Sequence, residues 1–359
     1  MSTGGLRDGS LDELVWDRSV RKRIRMAFAE YPAAGTDTAA GTAGGAILPG
    51  PCVSGIAAVT WNTRHVGALA VTHAVNNLAA QGIRPAYVNC CILLPSGTQE
   101  LRLREIADEI AGTARGIGIS VTDVQAEVTP ALTRPLVMAS AYAGREYAKP
   151  FPGGFALSSD DADRIRHETG ADRDTSDDGN GLSDILPGDV ILELGDIALE
   201  GTFLLAAERR KELSERFPVR FLQQASDMGK ALSVLPAMEE MQKAGIHPKS
   251  MISVSEGGIC AALWRLSGET GRGFEVSLPD IPIRQETVEI TDFYGINPYQ
   301  MASSGCLLAV LDPADAAKGS RTGRIIGHLI KGDKKILVNG DERQCLNRPS
   351  ADALLQVLG

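Results

Sequence analysis

The chain has 359 residues, of which 43% are hydrophobic and 23% are charged, and its formal net charge is −9. A chain of this length exceeds what one hydrophobic core usually organises, so we expect two domains in an ordinary globular protein. The acidic charge argues against a nucleic-acid partner, because binding to a phosphate backbone depends on clustered Lys and Arg side chains.

Signals of export and membrane insertion are also missing from the sequence. No apolar run approaches the roughly 20 residues that a membrane-spanning helix needs. The opening segment MSTGGLRDGSLDELVW has no apolar core after a basic start, so we expect a cytoplasmic protein with no membrane partner. The six cysteines form no C-x-x-C pair, which indicates reduced thiols rather than a zinc site.

The predicted N-terminal region, 1–50, combines a helix with a loop rich in Gly, Ala and Thr. Apolar and basic residues recur at near-helical spacing from Leu11 to Ala29, and the loop YPAAGTDTAAGTAGGAILPGPC follows. Glycine at this density is typical of a flexible entry loop. It is also compatible with backbone N–H groups that cradle a phosphate, although the G-x-x-x-x-G-K-[ST] pattern is missing.

Strands and helices alternate regularly from about residue 56 and predict an α/β domain over 51–150. Its predicted elements, in chain order, are a strand GIAAVTW, a helix His65–Gln81 ended by Gly82, a strand AYVNCCILL, a helix QELRLREIADEIAGTARGIG, and strands ISVTDV and PLVMASAY. The second helix carries Leu103, Ile106, Ile110 and Ala114 on one face, a spacing typical of a helix that packs on a sheet.

A polar, acidic stretch over 151–187 separates this domain from a second one, and we expect it to be a mobile linker. The α/β pattern then restarts and predicts a C-terminal domain over 188–359. Its predicted elements are a strand VILELG, a helix Glu200–Phe217, a helix KALSVLPAMEEMQKAG, a strand SMISVS, a helix GGICAALWRLSGETG, a strand FEVSL, a helix QETVEITDFYG, strands CLLAVL, RIIGHLIK and KKILVNG, and a terminal helix Ala351–Leu358.

Four short motifs place polar residues and glycine at strand-to-helix or loop junctions, where α/β folds bind ligands. They are NNLAAQGIRP (76–85), AEVTPALTRP (126–135), LEGT (199–202) and SEGG (255–258). In this order they resemble the aminoimidazole ribonucleotide synthase (AIR synthase) family, and within it the AIR synthase-related proteins that are often described as hydrogenase maturation factors. The resemblance covers roughly residues 50–358.

This resemblance implies a two-domain PurM-like α/β (α+β) fold with a C-terminal α/β sandwich. It implies a homodimer in which the N-terminal domains of two copies pair their sheets, and an ATP-binding cleft along the domain junction. Family members phosphorylate a carbonyl, amide or phosphate oxygen, and aspartates hold the Mg²⁺ ions that neutralise the triphosphate.

The chain departs from the family at most of the metal-binding positions that the resemblance identifies. Asn77 stands where the family has the aspartate of its N-D motif, Gln125 where it has the histidine of G-H-T, and Ser253 where it has the aspartate of H-D. Ser54 or Gly55 replaces a further aspartate. Amides and hydroxyls are weak ligands for Mg²⁺, so we expect ATP to remain a candidate ligand and ordinary Mg²⁺-dependent turnover to be lost.

Several carboxylates of the motifs remain. LEGT and SEGG open helices, whose N-terminal N–H groups and dipole favour an anion. Glu200 and Glu256 therefore either contact a ligand or stabilise their own helices. Glu127, expected in a loop before Thr129, is predicted to belong to the site, whereas a lone histidine such as His73 is more typical of a satisfied core or interface residue.

The resulting hypothesis is a nucleotide- or phosphate-binding site with no intact metal site and no assigned catalytic residue. Its members are Asn76, Asn77, Gln125, Glu127, Thr129, Glu200, Gly201, Thr202, Ser253, Ser255, Glu256, Gly257 and Gly258, with Asp123 and Glu127 as the remaining metal candidates. We expect a protein that acts by binding a nucleotide or small anion, as a homodimer or as a heterodimer with an intact paralogue. The alternative is an active ATP-dependent synthetase or maturation enzyme whose metal ligands come from Asp123, Glu127, Asp196 and Glu200.

Overall fold

A computed structural model describes residues 9–10, 15, 17–23, 54–143, 185–349 and 351–359. The predicted glycine-rich loop and nearly all of the predicted acidic linker lie outside these residues. The described residues form two mixed α/β units, one on a five-stranded sheet and the other on a seven-stranded sheet, which confirms the predicted fold class. Within them, no helix is long and apolar enough to span a bilayer.

The first unit has its two helices on one face of the sheet. Its elements are β1 (Gly9–Ser10), β2 (Ser54–Val59), α1 (Val66–Ala79), β3 (Tyr87–Pro95), α2 (Glu100–Ile117), β4 (Ser120–Thr129) and β5 (Leu136–Tyr142), with a π-helical turn at Asp17–Arg21. The strand order is β1-β4-β3-β5-β2, in which β3 and β4 are parallel and the other pairs are antiparallel.

Helix α1 contacts both units, and 12 of its 14 residues are buried. It packs on β2 and β5, on α2, and on two elements of the second unit, the strand Ser250–Ser253 and the helix Leu235–Lys243. Gly55 on β2 permits this close packing, because a Cβ at that position would lie 2.1 Å from the carbonyl oxygen of Ala74. No side chain fits at Gly55 without moving α1, so of the two predicted replacements for a family aspartate only Ser54 stands where a side chain has room.

The second unit has helices on both faces of its sheet. Its elements are β6 (Val190–Leu194), α3 (Leu199–Glu208), α4 (Arg210–Leu213), α5 (Val219–Asp227), α6 (Leu235–Lys243), β7 (Ser250–Ser253), α7 (Gly258–Thr270), β8 (Gly273–Ser277), α8 (Gln285–Tyr294), β9 (Leu307–Leu311), α9 (Ala316–Thr322), β10 (Arg324–Ile330), β11 (Lys335–Asn339), β12 (Glu342–Cys345) and α10 (Leu355–Leu358). The strand order is β12-β11-β8-β10-β6-β9-β7, and β9 is buried over its whole length, as expected for a strand covered on both faces.

The structure corrects the predicted end of β4. The strand does not stop at Val124 but runs to Thr129, because it pairs with β3 along the whole length of that strand. Gln125 and Glu127 therefore lie on a strand, and the prediction that Glu127 sits in a loop is wrong. The pairing partner of a strand is a tertiary contact, which a local pattern cannot reveal.

Three predicted helices are shorter than their sequence patterns indicate. The helix predicted over Glu200–Phe217 breaks at Arg209, whose backbone leaves the helical region, and continues as the separate helix α4. Helix α6 begins only at Leu235, because Pro236 lacks an amide hydrogen and is accepted only in a first turn. At the chain end only α10 is helical, because Asp352 holds the preceding residues in a hydrogen-bonded turn.

Candidate functional site

Polar side chains of α1 bind the second unit directly at the junction of the two units. The Asn76 amide is 1% exposed. Its Nδ2 donates to the carbonyl oxygen of Leu232 at 2.7 Å, and its Oδ1 accepts from the backbone amide of Val234 at 3.0 Å. The amide thus satisfies two backbone groups of the loop that precedes α6, and it ties that loop to α1.

One turn earlier on α1, His73 meets Glu200 in the first turn of α3. Their Nε2 and Oε2 atoms lie 2.9 Å apart, and both side chains are buried. Burial opposes charge on both groups, but the charge and hydrogen bond of the partner outweigh it, raising the pKa of His73 and lowering the pKa of Glu200. Each partner therefore favours the charged form of the other, which shifts the pair towards an imidazolium and a carboxylate.

The N-terminus of α3, which carries the LEGT motif, is covered by the segment 301–304. The amide of Ala198 donates to Oγ of Ser303 at 2.7 Å, and the amide of Gly201 donates to the carbonyl of Ala302 at 2.9 Å. Ala198 is the N-cap and has a φ of 59°, a conformation that costs a non-glycine residue about 1–2 kcal/mol. A Cβ on Gly201 would lie 2.4 Å from Cγ of Met301, so this glycine permits the close packing of that segment.

Helix α7, which opens with the SEGG motif, already has a carboxylate at its N-terminus. The amide of Gly257 donates to Oδ2 of Asp352 at 2.6 Å, and the amide of Gly258 donates to the carbonyl of Ser255 at 3.1 Å. Gly258 has a φ of +64°, and a Cβ there would lie 2.6 Å from the carbonyl oxygen of Tyr299. The position at which the sequence predicts an exogenous anion is therefore taken by a side chain of the same protein.

Other predicted residues of the second unit make internal contacts near these helices. The hydroxyl groups of Thr202 and Thr287 form a buried hydrogen bond with 2.8 Å between their Oγ1 atoms. Ser253 is buried at the end of β7, and its carbonyl oxygen accepts from the Arg265 guanidinium at 2.8 Å. Glu256 is exposed, but its charge helps to raise the pKa of His73 and thus acts on the junction.

A second group of predicted residues lies on the open face of the first sheet, opposite α1 and α2. Asp123, Gln125 and Glu127 are exposed and alternate along β4 with Val124, Ala126 and Val128, of which the two valines are buried. Thr129 ends the strand, where its hydroxyl accepts from the amide of Ala131 at 3.2 Å. Within one chain, this sheet-face group and the junction residues therefore lie on opposite sides of the first sheet.

Asn77 takes part in neither of these groups. Its Nδ2 donates to the carbonyl oxygen of Ile56 on β2 at 2.9 Å. An aspartate at this position has no hydrogen to donate, so the amide is suited to the bond that the structure shows. Among the described residues, no group of three or more His, Cys, Asp or Glu side chains is arranged to hold a metal ion.

Sequence reasoning missed two parts of the junction. Asp352 stands 95 residues after Gly257, and nothing in its local sequence marks it as a partner of α7. Ser303 and Ser304 lie outside the four motifs; both are buried, and hydrogen bonds from Ser304 help to lower the pKa of Glu200. A buried polar atom of this kind is found only by inspecting the packed structure.

Comparisons with known proteins match both units. The sequence matches two protein-family models. The model described as AIR synthase related protein, N-terminal domain, matches residues 35–142, and the model described as AIR synthase related protein, C-terminal domain, matches residues 187–338. Among curated proteins, the carbamoyl dehydratase HypE of Rhizobium leguminosarum bv. viciae is 25% identical over 278 residues, which are 75% of this chain and 69% of that protein.

Two solved structures show the same fold at low sequence identity. A hydrogenase maturation protein HypE in complex with ATP has a TM-score of 0.66 and 18% identity, and the match covers 95% of each chain. A chain of a HypE–HypF complex has a TM-score of 0.59 and 16% identity, with 82% of this chain and 90% of that chain covered.

Proposed function

Because the chain belongs to the AIR synthase related family, we propose that it is a HypE-like maturation factor that binds a nucleotide, with ATP as the first candidate. We further propose that it acts through this binding rather than through Mg²⁺-dependent phosphoryl transfer. The proposal draws on the ATP complex of the HypE neighbour and on the residues that this chain has in place of metal ligands.

The observation that carries the proposal is the hydrogen bond between Asn77 and Ile56. Asn77, at the position where the resemblance implies a metal-binding aspartate, has its Nδ2 2.9 Å from a carbonyl oxygen of its own sheet. Gly55 leaves no room for a side chain, and Ser253 is a neutral, buried hydroxyl. Mg²⁺ is normally anchored by one or two carboxylates together with phosphate oxygens, so these residues do not fit a magnesium site.

Nucleotide binding requires donors for phosphate oxygens, and two helices begin at the junction, where the amides of Ala198, Gly201 and Gly257 now donate within the protein. Helices α3 and α7 both begin there, beside the His73–Glu200 pair. N–H groups at a helix N-terminus and the helix dipole favour phosphate without a metal.

We also propose that two copies of the chain pair through the open face of the first sheet. Ile56 is 62% exposed and Met138 is 41% exposed on that face, which is unusual for large apolar side chains on a sheet. Cys91 and Leu93 lie between them and the acidic residues of β4. A homodimer, or a heterodimer with an intact paralogue, would bury this apolar surface.

The alternative function, an active ATP-dependent synthetase or maturation enzyme, is favoured by one observation. Asp123 and Glu127 project from the same exposed face of β4, so two carboxylates are available where a second copy would pair. Titration calorimetry with ATP, with and without Mg²⁺, separates the two functions. Binding that is independent of Mg²⁺ and releases no phosphate supports the proposal, whereas Mg²⁺-dependent binding with phosphate release supports the alternative.

A matched pair of variants sharpens this experiment. Asn77→Asp restores the family carboxylate, and Gln81→Glu adds the same charge one turn later at an exposed position. If the missing carboxylate is the reason for weak metal binding, Asn77→Asp makes ATP affinity depend on Mg²⁺ and Gln81→Glu does not. Equal behaviour of the two variants would count against the assigned role of Asn77.

A further inference from the structure

A cavity on the seven-stranded sheet of the second unit lies apart from the residues described so far, and we call it the sheet cavity. Its volume is about 470 Å³, within the range of roughly 300–1,000 Å³ that sites for small molecules have. Strands β6, β8, β10 and β11 line it, together with Gly188 and Asp280 beside them. Among the described residues that line it, none belongs to the four sequence motifs.

The register of the strands places the lining side chains on one face of the sheet. His328 lies opposite Val190 of β6 on one side and opposite Glu275 of β8 on the other. Val338 of β11 lies opposite Ser277. Residues directly opposite each other in a ladder share a face, and so do Glu275 and Ser277, which are two positions apart in one strand. The cavity is therefore built on a single sheet surface.

A β-bulge in β10 brings two of these side chains together. Ile325 lies opposite Leu192 and His328 lies opposite Val190, although the register shifts by one residue between Ile325 and Gly327. In a regular strand, residues three positions apart point to opposite faces, so the extra residue of the bulge is what puts Ile325 and His328 on the same face. The bulge thus adds an imidazole to an otherwise apolar part of the sheet.

Aliphatic side chains form the floor of the sheet cavity. Val190 and Ile325 are half-buried and pack against the apolar cluster to which α6 contributes Met238 and Met241. Val338 is half-buried as well. A floor of this kind matches the aliphatic part of a small ligand, because covering it removes apolar surface from water.

The polar side chains of the sheet cavity offer hydrogen-bond acceptors. Within the described parts of the chain, the side chains of Ser277, Asp280 and His328 make no hydrogen bond or ion pair. Glu275 accepts from the Arg343 guanidinium through Oε2, so the positive charge nearest to the cavity already has a partner. A carboxylate, a hydroxyl and an imidazole thus remain available to a ligand that brings its own donor.

The charge of the cavity selects the class of ligand. A phosphate or carboxylate group would lie near the Asp280 carboxylate with no unpaired cation of the described lining to balance it. An ammonium group would instead find an ionised acceptor, and hydrogen bonds of this charge-assisted kind are the stronger ones. The preference is therefore opposite to that of a site for nucleotide phosphates.

We propose that the sheet cavity binds a small organic cation, whose alkylammonium group donates to the Asp280 carboxylate and whose aliphatic part covers Val190, Ile325 and Val338. The site shares no lining residue with the junction. It does not depend on the proposed function, and a failure to bind ATP would leave it untouched.

Methyl NMR of the full-length wild-type protein, labelled at isoleucine and valine, tests the proposal. The probe is n-butylammonium, and 1-butanol and butyrate have the same number of carbon atoms but are neutral and anionic. We expect n-butylammonium to shift the methyl signals of Ile325 and Val338 in a saturable way, and the two other compounds to give no saturable shift. Absence of saturation with n-butylammonium, or equal binding of 1-butanol, would overturn the inference.

A matched pair of variants assigns the charge. Asp280→Asn removes the carboxylate from the cavity, and Asp292→Asn makes the same change on α8; both residues are exposed, so both variants should fold as the wild type does. Asp280→Asn should raise the Kd for n-butylammonium by about tenfold, and Asp292→Asn should leave it unchanged. Equal affinity of Asp280→Asn and the wild type would show that Asp280 does not hold the cation, and the proposed site would be wrong.

Discussion

His73 on α1 and Glu200 on α3 join the two units of the molecule through one buried contact of 2.9 Å between Nε2 and Oε2. The two residues are 127 positions apart in sequence. Two further contacts surround them: Asn76 bonds the loop before α6, and the carboxylate of Glu208 accepts from the hydroxyl of Thr63 at 2.7 Å. The relative position of the two units is thus determined by polar bonds as well as by apolar packing.

Replacement of His73 alone should destabilise the protein strongly. His73→Leu leaves the Glu200 carboxylate buried without its partner, and loss of one partner of a buried pair costs about 3–5 kcal/mol. The double variant His73→Leu/Glu200→Leu removes both charges and should lose much less than the sum of the two single variants. Urea unfolding of the four proteins measures this coupling. Additive losses would show that the pair is not a coupled ion pair.

The same pair predicts a pH window for its contribution to stability. The pKa of His73 is raised above its ordinary value of 6.5, so its contribution is complete below pH 6.5 and is lost as pH rises through the raised value. The pKa of Glu200 is lowered below its ordinary value of 4.5, so its contribution is complete above pH 4.5 and is lost as pH falls through the lowered value. The free energy of unfolding of wild type minus that of the double Leu variant should therefore peak between pH 4.5 and 6.5. A flat difference across pH 4–9 would contradict the assignment.

Gly55→Ala should destabilise the first unit by about 3 kcal/mol, because the added Cβ would lie 2.1 Å from the Ala74 carbonyl oxygen and would push α1 away from β2. Gly112→Ala in α2 is the control. A Cβ at this helical glycine would meet no atom within 4 Å beyond the backbone of its own helix, so alanine there should stabilise by about 1 kcal/mol. Thermal unfolding should show a lower melting temperature for Gly55→Ala and a higher one for Gly112→Ala. Tolerance of alanine at position 55 would mean that α1 and β2 are not so closely packed.

The buried carboxyl group of Glu193 should make the free energy of unfolding fall as pH rises above 4.5. This residue on β6 is 1% exposed, and the Cys306 thiol donates to its Oε1 at 3.5 Å. Burial raises the pKa of Glu193 well above its ordinary value of 4.5, so the folded protein keeps a proton that the unfolded chain loses near that pH. The folded state then binds more protons, and stability falls as pH rises above 4.5 towards the raised value. Glu193→Gln should reduce this fall between pH 5 and 8, whereas Glu342→Gln at an exposed position should not.

Met138→Arg should prevent the proposed pairing of two copies. The guanidinium would be placed in the middle of the open sheet face, next to Cys91 on β3. Leu101→Arg is the control, since Leu101 is 62% exposed on α2, away from that face. Sedimentation velocity should show a dimer for the wild type and Leu101→Arg and a monomer for Met138→Arg. A monomeric wild type would contradict the proposed homodimer directly.

Most of the regular elements could be predicted from the sequence because their signals are local. The period of apolar residues in α2, the glycine after α1 and the continuous apolar run of β3 are all properties of neighbouring residues. The motif order was sufficient to recognise the family, and the family implied the two-unit fold. The amide of Asn77 and the hydroxyl of Ser253, at positions where the resemblance implies carboxylates, are likewise visible without coordinates.

The tertiary structure alone decided which of these residues meet. It extended β4 through Glu127 by pairing the strand with β3, and it separated the sheet-face residues from the junction. It paired His73 with Glu200 and brought Asp352 to Gly257, contacts between residues that are 127 and 95 positions apart. Such contacts depend on how whole helices pack, and burial then sets the charge of each group, so no local pattern contains them.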